Sequence, residues 1–128
     1  MNILYEDEFC QVSDICILIK KYYFPLATSK TILYSEVSKI SLEDGLNVRH
    51  KWGPSTHFLN CWFHYDAKRS VKEKFLCFKM KGQRIMPALT PEDPVKLFDI
   101  LRKHFEEIDR RSVFSRANKD GQTAMDQR

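Results

Sequence analysis

The stretch Arg49-His50-Lys51-Trp52-Gly53-Pro54 sets an aromatic ring and positive groups beside two chain-bending residues. Trp and Arg dominate interface hot spots, so Trp52 with Arg49 and Lys51 could read an acidic partner. The plainer alternative is a turn in which Gly53 and Pro54 fold Trp52 back onto the domain. A second basic set, Lys68, Arg69 and Lys72, shares a link with Asp66. It could hold an anionic group, or it could be a solvated turn with an Asp66 to Arg69 ion pair. His57, Cys61 and His64 are zinc-ligand types at close spacing. On one strand, however, His57 and Cys61 share a face about 13 Å apart while His64 points to the other, so the three cannot share a metal. Cys61 with His64, or Cys77 with His104, are Cys-His pairs on paper. The thiols lie in apolar strand contexts that should raise their pKa, and there is no nucleophile-base-orienter set and no glycine-rich phosphate loop. An enzyme is not expected, and neither a metal nor a cofactor is.

Composition narrows the class. A chain of 128 residues, 43% hydrophobic and 12% aromatic, is one domain with enough apolar surface for a core. No run of about 18 apolar residues occurs, and the acidic start MNILYEDEFCQ lacks the pattern of a secretory signal, so a cytoplasmic location is expected. Cys10, Cys16, Cys61 and Cys77 are scattered with no CxxC pair, which suits reduced, buried thiols. The net charge of +4 is uneven. Residues 1–109 carry 16 Lys and Arg against 15 Asp and Glu, and residues 110–128 carry 5 against 2. A nearly neutral folded part argues against nucleic acid, whose binding needs many simultaneous phosphate contacts.

These residues must be positioned by short β segments followed by a helix. FCQV at 9–12, ICILIKKYYF at 15–24, TILY at 31–34, EVSKISLE at 36–43, FLNCWFHY at 58–65, KFLCFKM at 74–80 and RIMPAL at 84–89 read as about seven strands. TILY and EVSKISLE form either one bent strand or two. In FLNCWFHY the alternation turns Leu59, Cys61, Phe63 and Tyr65 inward and Trp62 and His64 outward. So many antiparallel strands with short links must curl into a barrel or split into two packed sheets. Thr90 then reads as an N-cap with Pro91 at the first helical position, and Val95, Leu97, Phe98, Leu101, Phe105 and Ile108 form an apolar stripe over 91–108. A domain over 1–109 and a disordered basic tail over 110–128 are expected.

The order of elements, with Tyr5-Glu6-Asp7, Tyr22 to Pro25, Lys30-Thr31-Ile32 before Val37 and Ile40, Trp52-Gly53, the Trp62, Asp66, Arg69 series and Thr90-Pro91-Glu92-Asp93-Pro94, resembles the bacterial-type PH-domain family over residues 3–107. The resemblance implies a mainly β fold, a PH-like bent antiparallel barrel of about seven strands capped by one C-terminal α-helix. Because Trp52-Gly53 belongs to that pattern, it favours an architectural Trp52. PH-like folds bind phosphoinositides, peptides, proteins or their own copies. Here the first hairpin, Gln11 to Asp14, lacks the basic residues of the usual headgroup pocket, so a shifted site would use Lys68, Arg69 and Lys72. The expected function is a non-enzymatic binding or assembly module taking a protein partner or its own copy through a strand edge or the helix–strand groove. The alternative is peripheral attachment to an anionic membrane, aided by the tail. Candidate ligand-binding residues are Arg49, Lys51, Lys68, Arg69 and Lys72.

Overall fold

The computed structural model describes residues 1–44, 52–54, 60–67, 69 and 72–119, with side chains up to residue 111. Among these residues β1 (Ile3–Glu6), β2 (Cys10–Ser13), β3 (Cys16–Tyr23) and β4 (Thr28–Leu33) form one antiparallel sheet in that order. A second sheet is built from β5 (Val37–Asp44), β6 (Gly53–Pro54), β7 (Cys61–Phe63), β8 (Lys74–Met80) and β9 (Met86–Leu89), in the order β5-β8-β9-β7-β6. The expectation of a mainly β chain ending in one helix is met. The expected barrel is corrected, because the two sheets are not closed into one.

The corner between the sheets is a 3-10 turn, Tyr34–Glu36, in which the Glu36 carboxylate accepts the Leu33 amide at 3.0 Å. The segments before and after it are therefore two strands. The all-antiparallel arrangement is corrected as well, since β7 runs parallel to β9. Residues 64–73 carry the chain from β7 across to β8, and β9 returns by a short turn at Lys81-Gly82 to lie between the two. Gly82 takes φ +69° in that turn, a conformation that costs glycine least. In β3 the ladder breaks between Ile19 and Tyr23, where Lys21 adopts φ +53°. The break turns the Lys21 carbonyl toward the second sheet, where it accepts the Tyr65 amide at 2.8 Å.

Helix α1 (Pro94–Lys119) starts three residues later than expected and extends well past Ile108. Residues 110–119, placed at sequence level in a disordered tail, are helical in backbone, and 120–128 lie outside the described residues. Its cap is Asp93, not Thr90. The Asp93 carboxylate accepts the Lys96 amide at 3.1 Å, the bond an N-cap makes to the third helical residue, and Pro94 takes the first helical position. Thr90 is unavailable for capping because its hydroxyl donates to Asp66 at 2.7 Å. Leu97 and Leu101 are buried and Phe105 partly so, while Val95, expected in the stripe, is 56% exposed.

The main core lies between the sheets and under the helix. Val12, Ile17, Ile19 and Ile32 come from the first sheet, Leu76, Phe78, Met80 and Leu89 from the second, and Leu97 and Leu101 from α1. A smaller cluster of Cys61, Phe63, Phe75, Cys77 and Ala88 is buried on the other face of the second sheet. That sheet is thus apolar on both sides. Its strand β8 has the near-continuous hydrophobic run such burial requires.

Candidate functional site

Of the five candidate ligand-binding residues, Arg49, Lys51 and Lys68 lie outside the described residues, as does His57. Arg69 and Lys72 are described, and the structure turns both inward. Arg69 is 1% exposed, donates to the His64 carbonyl, and stacks its guanidinium 4.8 Å from the centre of the Phe63 ring. Burial lowers its pKa to about 10, so it stays charged at neutral pH. Lys72 donates to the Asp66 carboxylate at 2.6 Å and to the Thr90 carbonyl at 2.8 Å, with its ammonium 3.6 Å from the centre of the Phe9 ring. Arg69 thus ties back to the end of β7, and Lys72 bridges Asp66 to the helix entry at Thr90.

His64, expected on an outer strand face, lies past the end of β7 and is fully buried. Its Nδ1 lies 3.0 Å from the Tyr65 carbonyl, which can only accept, so the proton sits on Nδ1. Nε2 is then an acceptor, and it receives the Thr90 amide at 2.9 Å. Burial, with the Arg69 charge beside it, lowers the His64 pKa to about 3. A histidine so fixed is neutral and structural. Sequence reasoning grouped Asp66, Arg69 and Lys72 but missed Thr90, which lies 24 residues from Asp66 and 26 from His64 and joins them only in the fold.

Trp52 is anchored. Its indole donates to the Tyr22 carbonyl at 3.0 Å and meets Phe24 and Tyr65 edge-on at 5.0 and 5.3 Å. Trp62 donates to the same carbonyl, also at 3.0 Å. Both tryptophans therefore depend on the break in β3, and the contacts fit the architectural role.

Two surface grooves stand out among the described residues. One, of about 280 Å3, runs between α1 and β5, which is an edge of its sheet among the described residues. Val37, Ile40 and Phe105 give it apolar walls, and Lys39, Arg102, Glu106 and Asp109 line it with both signs of charge. Arg102 is held by Asp99 at 2.9 Å and Glu106 at 3.1 Å, so its rim is ordered. The other, of about 320 Å3, is bounded by Tyr22, Tyr23, Phe24, Trp62, Ile85 and Pro87, with Lys30 beside the tyrosines. Next to it Phe24 and Leu26 are 66% and 80% exposed.

The thiols are all free. Burial pushes the Cys10 thiol up, aided by the Asp7 charge. Cys61 departs from the expected rise: its hydrogen-bonding contact with Cys77, at 3.5 Å between sulfurs, holds Cys61 down and Cys77 up. Among the described residues no group of three or more His, Cys, Asp or Glu could hold a metal, and no helix is long and apolar enough to cross a membrane. Comparison of the chain with family models, with curated proteins and with solved structures finds no match.

Proposed function

We propose that the chain is a non-enzymatic binding module of PH-like architecture, and that its ligand is an extended protein segment taken up between β5 and α1. The observation that carries this reading is the groove itself. Along Val37 to Ile40 the strand is an edge among the described residues, where an incoming strand can add backbone hydrogen bonds, and the apolar wall opposite can take alternate side chains. The mixed charges of Lys39, Arg102, Glu106 and Asp109 suit a polar peptide backbone flanked by charges of either sign better than a purely anionic ligand. The order of strands followed by one helix lying against β1, β5 and β8 supports the PH-like assignment.

Selection of random peptides on the immobilised protein, followed by NMR titration of a selected peptide, tests the proposal. Shifts should concentrate at Val37 to Ile40 and along 102–109, and Arg102→Gln should weaken binding at least tenfold while lowering stability by no more than about 1 kcal/mol for the two exposed ion pairs lost. Failure to select any peptide, or shifts confined to the aromatic groove, would overturn it. Light scattering in the same buffers distinguishes strand addition by a second copy.

A second reading, contact with an anionic membrane, is favoured by exposed Phe24 and Leu26 on a turn flanked by Lys21 and Lys30. Salt-sensitive sedimentation with anionic vesicles, lost in Phe24→Ser with Leu26→Ser, is its expected signature.

A further inference from the structure

The smaller apolar cluster gathers three sulfur atoms from three adjacent strands. Cys61 lies on β7, Met86 on β9 and Cys77 on β8, and β9 is the strand between the other two. Cys61 is the register partner of Met86, Cys77 is the partner of Ala88, and Met86 and Ala88 are two residues apart, so all three side chains rise from the same face. The Cys61 and Cys77 sulfurs are 3.5 Å apart, and the Cys77 and Met86 sulfurs 3.7 Å. Ala88 contributes only a methyl group beside Cys77, which leaves room for the sulfurs to meet. Phe63 and Phe75, edge-on at 5.0 Å, belong to the same cluster.

We propose that Cys61, Cys77 and Met86 form a binding site for one soft monovalent metal ion of the Cu(I) class. Two thiols and a thioether are the ligand set that selects Cu(I) over harder ions. A trigonal ion with metal–sulfur bonds of about 2.3 Å sets its sulfurs about 4 Å apart, so the two sulfur pairs that Cys77 makes, at 3.5 and 3.7 Å, need to open by only a few tenths of an ångström. Zinc fits less well, because a structural zinc site takes four Cys, His, Asp or Glu ligands and, among the described residues, only the two thiols are of those types here. A disulfide is not formed. The Cys61 and Cys77 sulfurs are 3.5 Å apart, well beyond the roughly 2.05 Å of an S–S bond, and β9 between their strands opposes closer approach of the two backbones. Met86 is only partly buried and marks the way in. On binding, each thiol gives its proton to solvent as its metal–sulfur bond forms, and the metal stays Cu(I) throughout, so no oxidant or reductant is consumed.

The test is an anaerobic titration of the reduced full chain with Cu(I) supplied as its acetonitrile complex. Near-ultraviolet thiolate-to-metal absorption should rise to one equivalent and stop. Native mass spectrometry should show a single bound ion. Met86→Leu, which keeps volume and leaves the fold intact by circular dichroism, should weaken Cu(I) binding at least tenfold. Cys61→Ser and Cys77→Ser should abolish it, and Cys10→Ser should leave it unchanged. An absent absorption band, unchanged affinity in Met86→Leu, equal retention of Zn(II), or rapid closure of a Cys61–Cys77 disulfide by mild oxidant would each overturn the proposal.

Discussion

His64 shows how one buried side chain makes stability depend on pH. Folded, it holds a pKa of about 3, against 6.5 for an ordinary histidine. Between those values the unfolded chain binds the extra proton and the folded chain does not, so stability must fall as pH drops from about 6.5 toward 3. Urea melts across pH 4 to 7 should show a loss of a few kcal/mol, and in His64→Gln that slope should flatten, with a cost of about 2 to 3 kcal/mol at pH 7 from the imperfect replacement of the Thr90 contact. The Asp7 carboxylate behaves differently. Burial works to raise its pKa, but hydrogen bonds from Tyr5, Glu92, Phe9 and Cys10 outweigh burial and hold it below the usual range, so its contribution disappears only at lower pH. For Trp52, half-buried and hydrogen-bonded, substitution by Ala should cost about 2 to 3 kcal/mol, less than a fully enclosed ring. An unchanged melt combined with weaker partner binding would reassign it as a reader. At this scale the sequence left both roles of Trp52 open, with only the family-like Trp52-Gly53 pair favouring architecture, and it misplaced His64 because strict alternation was extended past the end of β7.

Among the elements, those specified locally were legible. KFLCFKM is β8 from first residue to last, and its hydrophobic run needs no partner to be read. β1 and β6 went unread: β1 is four residues with two half-buried, β6 only two residues, and each exists through the strand beside it. The helix entry shows the same division. Thr90 and Asp93 are both good caps in isolation, and distant residues decide between them. Asp66 and His64 occupy Thr90, while Asp7 accepts the Glu92 amide at 2.8 Å and the Tyr5 hydroxyl accepts the Asp93 amide at 3.1 Å. Asp7 also takes the Phe9 and Cys10 amides at 2.7 and 3.1 Å, so one carboxylate closes the β1–β2 turn and seats the helix. Asp7→Ala should therefore lower stability by about 2 to 4 kcal/mol, seen in chemical melts, with hydrogen exchange rising in both the β1–β2 turn and the first turn of α1.

At the scale of the molecule, the two sheets and the helix share one core, and Leu101 reaches it from α1. Leu101→Ala should cost about 2 to 5 kcal/mol and should shift the far-ultraviolet and tryptophan melts together. Separate transitions would mean that the sheets unfold independently. The helix is also tied to the first sheet directly, where the His104 ring lies 3.2 Å from the Asp14 carbonyl and edge-on to Tyr34 at 4.6 Å. These ties carry a consequence for how the chain is made. The Glu92 amide that completes Asp7 comes 85 residues after it, and the hydroxyl of Tyr5 waits 88 residues for Asp93. At about 5 to 20 residues per second, a ribosome leaves the first hairpin without its partners for about 4 to 17 seconds. The nascent sheet must keep its carboxylate and hydroxyl in water for that time, so vectorial synthesis cannot finish the amino-terminal half before the carboxy-terminal helix has emerged.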